Sequence, residues 1–190
     1  MLEGMSVSAA ALPPPRDPGA PYTVCLVCLG NICRSPMAEV VLRSELAEAG
    51  LADDVTVDSA GTGDWHIGHR MDTRARAELE QRGYDGSAHR ARQIDASWLP
   101  ERDLFLAMDR RNLADLRQMA TWAGVPADRV RLFGEVSGLR PSGGAGDYLD
   151  IPDPYGGGAD DFSAVLELIQ TGARDLVAQL AVLLADHAPA

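Results

Sequence analysis

Short apolar runs alternate along this chain with longer stretches of helical periodicity. Residues 23–28 (TVCLVC) form a nearly unbroken apolar run ending at a glycine-containing loop, the pattern of a strand buried on both faces. Residues 55–58, 104–108 and 130–132 read the same way, so four strands are predicted. Between and after them, residues 36–49, 73–82, 110–123 and 160 to about 187 repeat their apolar positions at helical spacing. Pro36 stands at the start of the first of these, and Gly50, Gly83 and Gly124 follow the ends of the first three, as helix punctuation requires. Strands alternating with helices imply βαβ units, right-handed crossovers and a parallel sheet covered on both faces. The predicted fold is therefore α/β, a four-stranded parallel sheet with helices on both sides. Ligands of such sheets bind at the carboxyl ends of the strands. The loop after Cys28 and the residue Ser59 both fall there.

Two stretches lie outside this pattern. Residues 1–21 are rich in Pro, Ala and Gly without periodicity and are expected to be a disordered leader, with residues 22–190 forming a single domain. Residues 140–147 (RPSGGAGD) read as a mobile surface loop.

Composition narrows the classes of function. The 190 residues carry a formal charge of −11, which would repel nucleic acid and anionic membranes, so neither is an expected partner. All the basic residues are arginine, which fits the codon usage of a GC-rich bacterial genome and carries no functional weight. No run approaches the roughly 20 apolar residues of a membrane span, and the start lacks a secretory signal. A monomer in the cytoplasm is expected, with unconventional export left open. The three cysteines all fall between positions 25 and 33, so a structural disulfide framework is not expected.

Candidate chemistry centres on Cys28-Leu29-Gly30-Asn31-Ile32-Cys33-Arg34-Ser35-Pro36, a Cys and an Arg with five residues between them, after a strand and before a helix. A loop entering a helix N-terminus points unpaired N–H groups at one spot, where the helix dipole adds positive charge and a phosphate dianion fits. The same field favours thiolate over thiol, making Cys28 a nucleophile. Gly30 allows close approach and unusual backbone angles. Arg34 can hold two phosphoryl oxygens with its planar fork. Ser35 can donate to the sulfur, and Asn31 can brace the loop. The rival readings of Cys25 and Cys28, half a zinc site or a redox pair, lack further cysteines and paired histidines. No metal or cofactor is expected.

The matching acid is Asp153, in Asp150-Ile151-Pro152-Asp153-Pro154-Tyr155-Gly156. Prolines on both sides restrict the backbone and preset the carboxylate. A tyrosyl oxygen leaves with a pKa of about 10, so it needs a proton as its bond to phosphorus breaks, and Asp153 can supply it and then activate water.

Together with Asp153-Pro154-Tyr155, the loop from Cys28 to Pro36 resembles the low-molecular-weight protein tyrosine phosphatase family in its bacterial branch. Further matching stretches are Asp58-Ser59-Ala60-Gly61-Thr62-Gly63 with Trp65, then residues 87–93 around His89, and Leu106-Ala107-Met108-Asp109. The resemblance covers the chain from about Thr23 onward and implies a sheet of flavodoxin-like order, a phosphocysteine intermediate and a tyrosine-phosphorylated protein as substrate. It implies that Ser59 and His89 join Asn31 in supporting the loop and that Trp65 and Tyr155 wall the substrate ring, though Trp65 could instead anchor its own loop. It also implies that Cys33 can form a reversible disulfide with Cys28; the alternative is a small loop filler. Gly156 stands where many relatives have a second Tyr, and Thr73 where Pro is common. Arsenate reductases of this fold need cysteines beyond position 33, which are absent here. Arginine phosphatases of the family typically have Thr at the place of Ile32. A non-catalytic phosphopeptide-binding module would need neither Cys28 nor Asp153.

Overall fold

The computed structural model describes residues 11–139 and 149–187. Four strands, β1 (Tyr22–Cys28), β2 (Val55–Gly61), β3 (Leu104–Ala107) and β4 (Val130–Leu132), form one parallel sheet in the order β2-β1-β3-β4. The helices are α1 (Arg34–Glu48), α2 (Thr73–Gln81), α3 (Arg110–Ala123), the single-turn α4 (Phe133–Val136) and α5 (Ala159–Asp186). The order is the flavodoxin-like one expected. Tight 3-10 turns at Ala96–Glu101 and Ala127–Arg129, and α4, were not foreseen.

Period-two alternation inside β1 divides its apolar run between two cores. Val24, Leu26 and Cys28 face α1 and α5, packing with Met37, Val41, Phe162 and Ile169. Cys25 and Val27 face the other way, toward Leu113, Leu116 and Ala120 of α3. Each fully buried Leu or Val contributes about 1.5–3 kcal/mol, so both faces must be covered, as the continuous apolar run required. Cys25 and Cys28 thus lie on opposite sides of the sheet, which removes the redox-pair reading. Burial first, and Asp58 second, push the Cys25 thiol well above the ordinary range.

Four expectations change in detail. β2 runs on past Asp58 to Gly61, because Ser59, Ala60 and Gly61 pair with Leu26, Val27 and Cys28. α1 opens at Arg34 rather than Pro36; the proline sits in the first turn, where its missing N–H costs nothing. The leader is not loose throughout. From position 11 it lies along the chain, with Leu12 buried in the larger core, the Tyr22 hydroxyl donating to the Pro13 carbonyl at 3.0 Å and Arg16 paired with Asp103 at 3.4 Å. One large apolar side chain between a run of alanines and a run of prolines gives no periodicity, which is why the sequence pattern hid it. Finally, α5 is, among the described residues, the one helix with the length and apolar content of a membrane span, although no such run was anticipated. Its Phe162, Val165, Leu166, Ile169, Ala173, Leu176 and Leu180 recur at helical spacing and are buried, so its apolar stripe serves the core. The predicted loop at 140–147 lies outside the described residues.

Candidate active site

Carboxyl ends of β1, β2 and β3 meet at the point where the strand order reverses, and each delivers a residue there. β1 ends at Cys28, whose sulfur accepts from the Asn31 N–H at 3.3 Å and lies 3.1 Å from the Ser35 hydroxyl. Asn31 holds the loop's one left-handed backbone among its described non-glycine residues, at φ 52. That conformation costs most side chains about 1–2 kcal/mol, but Asn tolerates it and here is bonded on every side. Its amide donates to Ser35 Oγ at 2.9 Å and Ser59 Oγ at 2.8 Å, its side-chain oxygen accepts from the Arg92 N–H at 2.8 Å, and its carbonyl meets His89 Nε2 at 2.7 Å. Ser59 and His89 are thus both in hydrogen-bond contact with Asn31.

Gly30 departs from one expectation. Its backbone is not left-handed; what excludes a side chain is the His66 ring, which a Cβ would meet at 2.9 Å. Gly61, at the end of β2, is just as tightly placed, since a Cβ there would come within 2.7 Å of the Leu29 carbonyl. The loop is fixed further by Gly63 N–H donating to the Leu29 carbonyl and Asp72 N–H to the Ile32 carbonyl, both at 2.8 Å. Cys33, the residue before α1, is buried and unpaired, and that burial, with Asp72 nearby, raises its thiol far above the ordinary range.

Arg34, in the first turn of α1, is 2% exposed and folds back across the loop. It donates to Asp109 at 2.6 Å, to the Ile151 carbonyl at 3.1 Å and to Asp153 at 2.7 Å. Burial alone would weaken its charge, but Cys28, Asp153 and Asp109 around it outweigh that and hold it protonated. Asp153 is half exposed on the opposite lip. One pocket is lined by Cys28, Leu29, Gly30, Ile32, Cys33, Arg34, Trp65, His66, Asp153 and Tyr155. Trp65 and Tyr155 are largely exposed, at 67% and 54%, at the mouth of this pocket, and the Trp65 ring also rests against Gly63 of its own loop.

The sequence and the fold match a known set of proteins. The family model for low molecular weight phosphotyrosine protein phosphatases matches residues 23–184. This chain belongs to that family. It is 46% identical over 157 residues to the low molecular weight protein-tyrosine-phosphatase of Streptomyces coelicolor, covering 83% of this chain and 92% of that one. The crystal structure of YfkJ from Bacillus subtilis superposes with a TM-score of 0.75 at 35% identity, covering 86% of this chain and 97% of the other. Wzb of Vibrio vulnificus, solved in complex with benzylphosphonate, gives 0.69 at 29% identity, with coverages of 83% and 97%.

Several residues of this site were missed by sequence reasoning. Asp109 holds Arg34 and caps α3 through Asn112 N–H at 2.8 Å; an acid directly after an apolar strand was the available signal. Glu39 accepts from Ser59 Oγ at 2.5 Å, one turn into α1, and His66 lines the pocket. Neither carried a local pattern, since each acts on a partner distant in sequence.

Proposed function

We propose that this chain hydrolyses phosphotyrosine in proteins through a phosphocysteine intermediate, with Cys28 as nucleophile, Arg34 as phosphate clamp and Asp153 as general acid and base. The observation that carries this reading is the convergence of the Cys28 sulfur, the Arg34 fork and the Asp153 carboxylate on one pocket, although they come from β1, α1 and a loop more than a hundred residues later.

The chemistry runs in two steps. The Cys28 thiolate, stabilised by the Asn31 N–H and the Ser35 hydroxyl, attacks phosphorus while the bond to the tyrosyl oxygen breaks. Asp153 donates its proton to that oxygen, and the free phenol departs. Asp153, now a carboxylate, takes a proton from water as the water attacks phosphorus, and the Cys28–phosphorus bond breaks to give inorganic phosphate and thiolate. Ser35 assists there by donating to the departing sulfur. Asn31 gives both amide protons away, to Ser35 and Ser59, so the Ser35 hydroxyl hydrogen is free for Cys28 or the Ala60 carbonyl at 3.2 Å. Arg34 grips equatorial phosphoryl oxygens as charge spreads over them. A phosphoryl group on this loop takes the place of the Asp153 carboxylate on the Arg34 fork and releases that carboxylate toward the leaving oxygen.

The exposed rings of Trp65 and Tyr155 at the rim suit an aromatic ester, and benzylphosphonate bound to the Vibrio vulnificus relative supports the same class. Three unpaired cysteines are in keeping with a reducing cytoplasm. Turnover of phosphotyrosyl, phosphoarginyl and phosphoseryl peptides, measured side by side, tests the reading. Release of phosphate from the tyrosyl peptide, lost in Cys28→Ser, is expected; faster release from the arginyl peptide would overturn the substrate class.

A further inference from the structure

The acid loop is anchored at its start, where Ile151 is buried, its N–H donates to the Met108 carbonyl at 2.7 Å and Arg34 donates to the Ile151 carbonyl and Asp153, but it has less to hold it beyond Pro154. Residues 156–158 are three consecutive glycines, which offer no side chains for anchoring, and Asp153 and Tyr155 reach into solvent. Within the loop, Gly157 N–H bonds to the Pro154 carbonyl at 2.9 Å and Tyr155 N–H to Asp153 at 3.1 Å. The bonds that tie this segment to α2 come from Arg74. Its guanidinium donates to the Tyr155 carbonyl and to the Gly157 carbonyl, each at 3.0 Å. It is aimed by Asp72, which accepts from Nε at 3.1 Å and from Nη2 at 2.9 Å, and it lies over the rings of Phe162 and Tyr155, 4.7 Å and 5.7 Å from their centroids. Asp72 in turn is tied to the phosphate loop through its own N–H, 2.8 Å from the Ile32 carbonyl. A continuous bridge thus runs from the phosphate loop through Asp72 and Arg74 to the loop that carries Asp153.

We infer that Arg74 is a positioning residue for proton transfer: it sets the acid loop in register with the phosphate loop, so that Asp153 reaches the leaving oxygen. This rests on the assignment of Asp153 as the acid. Only a planar fork can span two carbonyls while still held by Asp72, so lysine cannot replace it fully. Misplacing a catalytic group by about 1 Å can cost on the order of 100-fold, and a bridge lost at one end allows that displacement.

The test compares Arg74→Ala, Arg74→Lys and Asp153→Asn on phenyl phosphate and on a dinitrophenyl phosphate whose leaving group needs no proton. Arg74→Ala is expected to lower kcat/KM for phenyl phosphate by about 10- to 100-fold. It should leave kcat/KM for the dinitrophenyl ester, which is set before water attacks the phosphocysteine, as well as inhibition by inorganic phosphate and alkylation of Cys28, nearly unchanged, and Arg74→Lys should fall between. Added to Asp153→Asn, Arg74→Ala should cost little more, because both changes remove the same step. Equal losses on both substrates, or full additivity, would overturn the positioning role while leaving the acid assignment standing. If Asp153→Asn itself showed no dependence on the leaving group, the acid assignment would fail and the role of Arg74 with it. Unchanged phosphate inhibition certifies that the pocket is folded in each variant.

Discussion

Residues 28–35 are mostly buried and bonded to β2, to the turn after it and to the segment around His89, whereas the loop at 150–158 holds Asp153 and Tyr155 half in solvent. The difference follows from their tasks. A phosphate cradle stabilises charge without reorganising during reaction, so its N–H groups must already point inward. In the proposed mechanism Asp153 pairs with Arg34 at one moment and faces a leaving oxygen at another, and it sits beside a run of three glycines, half in solvent. Preorganisation and freedom are thus divided between two loops and joined by Arg34, which belongs to the first and donates to Ile151 and Asp153 of the second.

Breaking the cradle at its nucleophile should have the largest effect. Cys28→Ser is expected to lower turnover by at least about 10⁴-fold while inorganic phosphate still binds, because the backbone donors and Arg34 remain and a hydroxyl stays protonated. Steady-state rates with competitive inhibition by phosphate check both halves. The acid loop should be less costly to disable. Asp153→Asn is expected to reduce kcat/KM for phenyl phosphate by about 10²–10⁴-fold and for an activated nitroaryl phosphate by less, which a leaving-group series would reveal. Equal loss across the series would make Asp153 a turn residue.

Thiol reactivity sharpens the contrast within the cradle itself. Cys25 and Cys33 are pushed toward the neutral thiol by burial, so near neutral pH iodoacetate should label Cys28 alone, and phosphate should block it. Peptide mapping that found comparable label on Cys33 would contradict this environment. The smallest effects concern two glycines. Gly61→Ala pushes a methyl into the backbone of Leu29 and Asn31 and should cost about 1–3 kcal/mol, with weaker phosphate binding. Gly156→Ala meets nothing within 4 Å and has no left-handed backbone, so thermal melts should show a gain of up to about 1 kcal/mol and unchanged phosphate inhibition.

The same division decides what could be read from the sequence. The cradle is contiguous: strand, Cys, Gly-Asn, Arg and helix follow one another within nine residues, so its chemistry was visible at once. Asp153 announced itself only through its two prolines and became an acid because the Cys loop needed one. Glu39 and His66 act on partners far away in the chain, and nothing in their neighbours marks them, while Asp109 was marked only by its place directly after an apolar strand. Ser59 to Gly61 looked like loop by propensity, yet parallel pairing with Leu26 to Cys28 makes them strand. Leu12 shows the opposite limit, a lone apolar residue without period whose burial depends on a surface made by distant elements.

The covalent intermediate is the core of this account, and it can be trapped. Asp153→Asn slows the attack of water after an activated aryl phosphate has loaded the enzyme, so an acid quench within the first turnover should catch phosphate on the protein. Peptide mass spectrometry is expected to find one phosphoryl group on Cys28 and none in Cys28→Ser. Turnover with no trapped phosphate, or phosphate on another side chain, would contradict the mechanism.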